Sequence, residues 1–406
     1  MAEDAASSAG PVRQREGLRI VPPHDGHTGL LIGLGADEQA RRWGDAVPVR
    51  DATAARAWVD VTREAWAGRH RWAPRRWVVE VAREVTTADT AAPVWRAAGT
   101  VEYRPDGHGG AEVGYAVHPA HRGRGVATRA LDLALGEAFE VDDVVLARWR
   151  AEVGHWASRR VAWRLGFSLP QRVRGLLPGW GEDTEPRDGW VASLRRDEPR
   201  VPAYPWLQVP VLDGGPPGVR LRPWRDDEDD AVALTSAHDP ARELVGPVLP
   251  GPGHGAVADW LTACREEASS GTSLTWCVAD ARTDEALGVI TVRGLREPFA
   301  HGCAELVVRV LPAGRDAAVL PPALRLVVGH ATTVLGLHRL TARTDERDRE
   351  THVALEAAGF RWSVTEPPCC GDADGDRHHG TARFALLTDA AAGSGDRPVV
   401  GRCDPA

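Results

Sequence analysis

Residues 111–117, AEVGYAV, are short and mostly apolar, the pattern of a strand. A stretch rich in Gly and Arg, HPAHRGRGVATRAL (118–131), follows directly. Beyond it the apolar positions change period. Leu131, Ala134, Leu135 and Ala138 fall on one face of a helix. DVVLARW (143–149) predicts the next strand. ASRRVAWRLGF (157–167) predicts a second helix, opened by small and hydroxyl residues. Ala157, Val161 and Leu165 are spaced four apart on it, and Gly166 is its stop. The mixture is α+β.

The same order of signals occurs twice. LRIVPP (18–23) matches VRLRPW (219–224), RWVVEVA (76–82) matches TWCVADA (275–281), and AAGTVEY (97–103) matches ALGVITV (286–292). From there the register is rigid. Glu112 pairs with Glu305, Pro119 with Pro312, Arg122 with Arg315, Leu131 with Leu324, Gly166 with Gly359 and Phe167 with Phe360, each 193 positions apart (305 − 112, 360 − 167). A constant offset over that span marks an internal repeat of two domain-sized copies. EPRVPAYPWLQVPVLDGGPPG (198–218) is rich in Pro and Gly, has no helical period and reads as a linker. We therefore expect a disordered tail at 1–16, a first domain at 17–200, a linker at 201–216, a second domain at 217–390 and a disordered tail at 391–406.

Composition sets limits on this picture. With 43% hydrophobic residues, each copy can bury its own core. No window approaches the roughly 18 uninterrupted apolar residues of a membrane span. The opening residues, MAEDAASSAGPVRQREG, lack the form of a signal peptide, and all six cysteines fall in the second half. A reduced cytoplasmic protein is the expectation. A net charge of −8 disfavours a general nucleic-acid binder and weakly suits a cationic acceptor. The chain has no lysine, so its 49 basic residues are all Arg. Codon bias in a G+C-rich genome accounts for that.

The Gly-Arg stretch carries the chemistry. A strand that turns through glycines into a helix leaves the first helical N–H groups unpaired, at the positive end of the helix dipole. Such a place binds phosphate. Gly123 and Gly125 permit φ > 0 and close approach, while Arg122 and Arg124 add cationic arms. The plain alternative is a tight turn with exposed arginines.

The wider order is strand, R-x-x-G-x-A (Arg122, Gly125, Ala127), helix, strand, then a helix ending in L-G-F (165–167). This resembles the GNAT superfamily of acetyl-CoA-dependent N-acetyltransferases over residues 17–200 and, more weakly, 217–390. RDGWVASLRRDEP (187–199) looks like the closing strand of the ribosomal-protein-alanine (RimJ/RimL-like) branch. The resemblance implies two tandem GNAT folds, each a mixed, mostly antiparallel, splayed sheet flanked by helices. It implies acetyl-CoA as cosubstrate. The backbone N–H groups of Arg124, Gly125, Val126, Ala127 and Thr128 would hold its pyrophosphate, with Arg122 and Gly123 also in the coenzyme-binding turn. The end of the strand near Val117 would offer backbone groups to pantetheine and to the thioester oxygen. Ser158 occupies the motif's serine and would protonate the departing thiolate. The tyrosine of other branches falls at Ala162. His155 stands where the family often has Asn, beside the pantetheine. The amine must lose a proton to attack, and Glu112 is the first candidate base, with Glu102 and Glu80 as fallbacks. His118, a loop histidine before Pro119, is the weaker alternative.

The second copy departs from the motif. Gly125 becomes Ala318, Ala127 becomes Leu320, and Thr128 and Arg129 become Pro321 and Pro322. Proline has no N–H to give an anion. Ser158 corresponds to Thr351 and His155 to Asp348. We expect this copy to keep the fold and to have lost coenzyme binding. CCGDADGDRHH (369–379) holds metal-type side chains, but without ligand spacing it reads as a flexible acidic loop, and no metal is expected. Trp43, Trp58, Trp66, Trp72 and Trp77 either line an aromatic acceptor cleft or pack in a core. The leading expectation is acetyl transfer to a primary amine, small molecule or peptide N-terminus, by a monomer or homodimer without nucleic-acid or membrane partners. The alternative is a non-catalytic acyl-CoA sensor or scaffold.

Overall fold

A computed structural model describes residues 10–44, 49–68, 72–83, 93–179, 185–215, 218–236, 249–251, 253–315, 318–367 and 380–388. The chain divides into two compact units, 1–203 and 204–406. The first runs β1 (Arg13–Arg15), β2 (Leu18–Val21), α1 (Thr28–Ala36), α2 (Glu38–Trp43), α3 (Ala52–Trp66), β3 (Arg75–Arg83), β4 (Val94–Pro105), β5 (Gly110–Val117), α4 (Val126–Glu140), β6 (Leu146–Glu152), α5 (Trp156–Arg164), β7 (Gln171–Leu177) and β8 (Arg187–Arg195). The second runs β9 (Leu212–Asp213), β10 (Val219–Arg222), α6 (Glu228–Ser236), α7 (His254–Ser269), β11 (Ser273–Asp280), β12 (Ala286–Arg293), β13 (Cys303–Val310), α8 (Leu320–Thr333), β14 (Arg339–Asp345), α9 (Arg349–Ala357), β15 (Arg361–Glu366) and β16 (Thr381–Leu387). No described helix is long and apolar enough to cross a membrane.

Each unit is one mixed sheet with helices on its faces. The orders are β1-β2-β3-β4-β5-β6-β8-β7 and β9-β10-β11-β12-β13-β14-β16-β15, the same topology twice. All neighbours are antiparallel except β5 with β6 and β13 with β14. The expected α+β class and the splayed sheets are both present. The fixed offset is visible in three dimensions, since β5, β6 and α5 recur as β13, β14 and α9, each 193 residues on (for instance 303 − 110).

The expected face of α4 lies in the first core: Leu131, Ala134, Leu135 and Ala138 are all buried, under Trp77, Tyr103 and Trp149. The face expected for α5 is only part of the buried one. Leu165 is in the core and Val161 packs on it, but Ala157 is exposed, and Ser158, Arg159 and Ala162 point inward. Polar residues hid that face from the apolar pattern. The Arg159 guanidinium is accommodated 4.6 Å from the centre of the Trp190 ring.

Two boundaries also shift. Arg13–Arg15, expected in the tail, pairs with β2, and the Pro11 carbonyl accepts the Trp77 indole N–H at 2.9 Å. Leu212–Asp213, expected in the linker, pairs with β10, and Pro210 accepts from Trp276 at 2.9 Å. These edge strands are too short to show a period of two, and each is secured by a buried tryptophan behind it. Residues 1–9, 369–379 and 391–406 lie outside the described residues.

The L-G-F triplet closes α5 by its backbone. Phe167 N–H reaches the Ala162 carbonyl and Gly166 N–H the Trp163 carbonyl, both at 3.1 Å, with Gly166 at φ +80°. Phe360 and Gly359 close α9 the same way. Their surroundings differ. A Cβ on Gly166 would meet the Pro199 and Val201 carbonyl oxygens at 2.5 and 2.7 Å, whereas on Gly359 it would meet only the Leu386 side chain, at 3.3 Å. Alanine at either site carries the left-handed penalty of about 1–2 kcal/mol. Gly166→Ala should therefore destabilise its unit clearly more than Gly359→Ala does, by chemical denaturation. Equal losses would refute this account of the motif.

Candidate active site

The first unit opens where a ladder stops. β5 pairs with β4 along its length but with β6 only at Gly110, Ala111 and Glu112. Beyond those residues the two parallel strands part. The His118 N–H donates to the Ala98 carbonyl at 2.8 Å, which fixes the alternation of the β4–β5 ladder. Val113, Tyr115 and Val117 therefore turn N–H and C=O away from β4 and into the gap. The Val117 carbonyl accepts from Arg122 Nε at 3.0 Å, and its N–H faces the cleft.

The turn after β5 has the form of an anion cradle. Gly123 and Gly125 have φ of +75° and +70°, and a Cβ on either would meet nothing within 4 Å. The first helical bond of α4 runs from Arg129 N–H to the Gly125 carbonyl at 3.1 Å. The N–H groups of Gly123, Arg124, Gly125, Val126, Ala127 and Thr128 thus have no backbone acceptor among the described residues. Arg124 is exposed and has no ion-pair partner among the described residues. The backbone fits a pyrophosphate.

Arg122 corrects an expectation. Its guanidinium does not extend into the cradle. It turns back to pair with Asp37, bonds Gln39 Oε1 at 2.9 Å, and holds the Val117 carbonyl through Nε. Asp37 also caps α2, accepting from Ala40 N–H at 2.8 Å. Arg122 is thus a clamp between the cradle and α2.

The other end of α2 is tied across the gap. Trp43 stacks on His155 with ring centres 4.8 Å apart and planes 9° off parallel. Arg42 covers Trp43 and bonds Glu152 Oε1 at 2.8 Å, and Arg187 pairs with the second oxygen of Glu152. Burial, then the nearby Arg122 and Arg42 charges, push the His155 imidazole down to about 4, so it is neutral at physiological pH. His155 borders the cleft as an aromatic wall.

Ser158 is buried, at the inner wall of the cleft. Its Oγ accepts the Trp149 indole N–H at 3.0 Å and lies 2.8 Å from the Tyr115 hydroxyl. The Tyr115 hydroxyl also donates to the Ser158 carbonyl at 3.1 Å. Nothing in the sequence pattern singled out Tyr115. The available signal was its place on the core-facing side of the strand that splays. Ala162 is fully buried, one helical turn after Ser158, and brings no hydroxyl to the cleft.

The carboxylates of the cleft are all engaged. Glu112 Oε1 accepts from Arg150 Nε at 3.0 Å. Glu305 of the second unit pairs with Arg343, the residue equivalent to Arg150, at 2.6 Å, and with Arg293 at 2.8 Å. Recurrence of the pair in both copies marks it as part of the frame. Glu102 is held by Arg76 at 2.5 Å, and Glu80, outside the cleft, by Arg19 at 2.7 Å and His27 at 3.2 Å. His118 caps the turn after β5, accepting from Ala120 N–H. Of the tryptophans expected at an acceptor cleft, only Trp43 borders it. Trp77 is core, Trp66 packs on it, Trp58 joins a small cluster with Val59, and Trp72 is half exposed.

In the second unit α8 begins at Leu320 with Pro321 and Pro322 in its first turn. Thr351 Oγ1 donates to Asp348 Oδ2 at 2.7 Å, and Asp348 accepts the Thr351 N–H at 3.1 Å. The hydroxyl equivalent to that of Ser158 is thus spent on Asp348, the N-cap of its own helix. Among the described residues no cluster of His, Cys, Asp and Glu could hold a metal.

The hydrogen bond from Arg122 holds the Asp37 carboxyl below its usual range, against a smaller opposing effect of burial. A lowered folded-state value means the clamp stabilises above the unfolded value of about 4 and is lost as pH falls through the folded one. Asn keeps the helix cap but not the charge. Asp37→Asn should therefore lower hydrogen-exchange protection of residues 38–43 at pH 7 and remove its decline below about pH 4. Unchanged protection at pH 7 would count against the clamp.

The model of the acetyltransferase (GNAT) domain family matches residues 17–168 and 219–361. Among solved structures, RimJ of Mycobacterium smegmatis with CoA-disulfide is 19% identical, covering 46% of this chain and 86% of its own, at a TM-score of 0.36. A GCN5-related N-acetyltransferase from Brucella melitensis is 20% identical, covering 46% and 80%, at 0.36. RimL, a ribosomal L7/L12 alpha-N-protein acetyltransferase, is 15% identical, covering 46% and 94%, at 0.37. No curated protein matches the chain in sequence. With both its sheets matched by one family model over most of their length, the chain belongs to the GNAT acetyltransferase family and carries that domain twice.

Proposed function

We propose that the first unit transfers an acetyl group from acetyl-CoA to a primary amine, a small molecule or a peptide N-terminus, by direct attack. The second unit keeps the fold, has lost the coenzyme site and supports the first or shapes its acceptor side. One observation carries this reading: two copies in one register differ at the residues that would touch coenzyme. The first has positive-φ glycines and unpaired N–H groups at the cradle. The second has two prolines there, and its serine equivalent, Thr351, is bonded to the helix-capping Asp348.

The backbone from Gly123 to Thr128 and the Arg124 side chain would hold the pyrophosphate. The Val117 N–H, aimed into the gap, would stabilise the oxyanion as the amine adds to the thioester carbonyl. Only a neutral amine attacks. With Glu102, Glu112 and Glu152 all bonded to arginines, the amine's proton passes to water at the mouth of the cleft. The engaged carboxylates also favour the second reading, a chain that binds acyl-CoA without turnover. Thiol release with a panel of primary amines separates the two.

Calorimetry of the full chain with acetyl-CoA tests the division of labour. One site per chain is expected. Thr128→Pro, which gives the first cradle a proline of the second, should weaken that site about tenfold or more, the worth of a hydrogen bond to a charged group. Two sites of similar affinity would refute the loss in the second unit.

A further inference from the structure

We propose that Tyr115 is the proton donor to the departing thiolate, with Ser158 and Trp149 as positioning residues behind it. This rests on the coenzyme-binding reading of the first unit. It moves the acid's role from the serine, where the motif puts it, to a residue of the splayed strand.

Hydrogen counting favours the tyrosine. An indole N–H only donates, so Ser158 Oγ must be the acceptor for Trp149 at 3.0 Å. When the Tyr115 hydroxyl donates to the Ser158 carbonyl at 3.1 Å, the contact of 2.8 Å between the two hydroxyls, in which either can donate, takes the serine's own hydrogen. The chain of donors runs Trp149, Ser158, Tyr115. Its last proton, and the one that can be redirected, is the phenolic one. Both hydroxyls line the cleft, Ser158 at 7% exposure and Tyr115 half-buried. Rotation about the phenol C–O bond would take the proton from the serine carbonyl to a sulfur in the cleft. Ser158 could give up its proton only by abandoning the tyrosine.

Acid strength agrees. An ordinary phenol, near pKa 10, is matched to a thiol near 8.5 far better than an aliphatic hydroxyl is. Burial pushes Tyr115 up to about 12, against the opposing effects of the Ser158 hydroxyl and the neighbouring Trp149 indole, so the proton is in place throughout the neutral range. In the step itself the C–N bond has formed and the C–S bond breaks. Its electron pair goes to sulfur, which takes the Tyr115 proton. The phenolate, still receiving the Ser158 hydrogen bond, regains a proton from water, to which the amine has lost one.

The second unit is an internal control. The positions equivalent to Tyr115, Trp149 and Ser158 are Val308, Ala342 and Thr351. All three are changed, in the copy whose cradle has prolines, and its sheet and core are still formed. The fold does not need the trio.

The test is binding of CoA and of desulfo-CoA, which lacks the sulfur, to the full chain at pH 7 and pH 9. At pH 9 the bound thiol is largely thiolate, and a phenol donating to it adds a charge-assisted bond. Tyr115→Phe should weaken CoA about tenfold at pH 9, less at pH 7, and leave desulfo-CoA unchanged. Unchanged CoA affinity at pH 9, or equal weakening of both ligands, would overturn the assignment while leaving the coenzyme site standing. Should Tyr115→Phe bind neither ligand, Ser158→Ala decides: a loss for CoA alone at pH 9 supports the chain of donors, and no loss refutes it. A wild-type chain that binds neither ligand removes the coenzyme-binding reading itself.

Discussion

The interruption of one ladder governs this fold. β5 and β6 share three registered pairs and then separate. A parallel pair that stops early leaves two rows of backbone groups without a strand partner, and buried polar groups need partners. The surrounding residues supply some of them. Arg122 takes the Val117 carbonyl, and Tyr115 closes on Ser158 across the gap. What remains, the Val117 N–H and the first N–H groups of α4, faces one cleft. The cleft is a product of strand geometry, and the side chains have adapted to it.

The second unit separates what the geometry demands from what chemistry adds. β13 and β14 part after Leu306 as β5 and β6 do after Glu112. The glutamate at the fork keeps its arginine from the neighbouring strand in both units. Burial pushes the Glu305 carboxyl up, but the hydrogen bonds from Arg343 and Arg293 outweigh it and hold the group below its usual range. Splay and clasp thus belong to the frame. The open glycine turn and the Tyr115–Ser158–Trp149 chain are present in one unit only, as expected of features under a different requirement.

Much of the fold was legible because it rests on periodicity. The central strands, α4 and the 193-residue register all follow from apolar spacing and from repetition. β1 and β9 were not legible. A strand of two or three residues has no period, and what secures it is an indole more than sixty positions away. In the site, the glycine turn was legible because positive φ nearly dictates its residue. Tyr115, Asp37 and Glu152 were not, and Trp43 stood undistinguished among five candidate tryptophans. Each acquires its role from a contact distant in sequence: Ser158, Arg122, Arg187 and His155 respectively.

Arg122 shows why residue type alone misleads here. In a chain without lysine, every structural and every ligand-facing cation is a guanidinium, so charge spacing cannot tell them apart. The planar fork with its several donors suits structural work. Arg122 serves a carbonyl, a carboxylate and an amide oxygen at once. In the second unit Arg222 grips both oxygens of buried Asp230 at 2.7 Å. Drawing Arg122 onto a phosphate would break three bonds and release α2 from the edge of the cleft. In the proposed coenzyme site the anion would be met by groups without competing bonds, namely the backbone N–H groups after Arg122 and the exposed Arg124. The two arginines of R-G-R-G would then divide the labour: the first fixes the turn, and the second is left for the ligand.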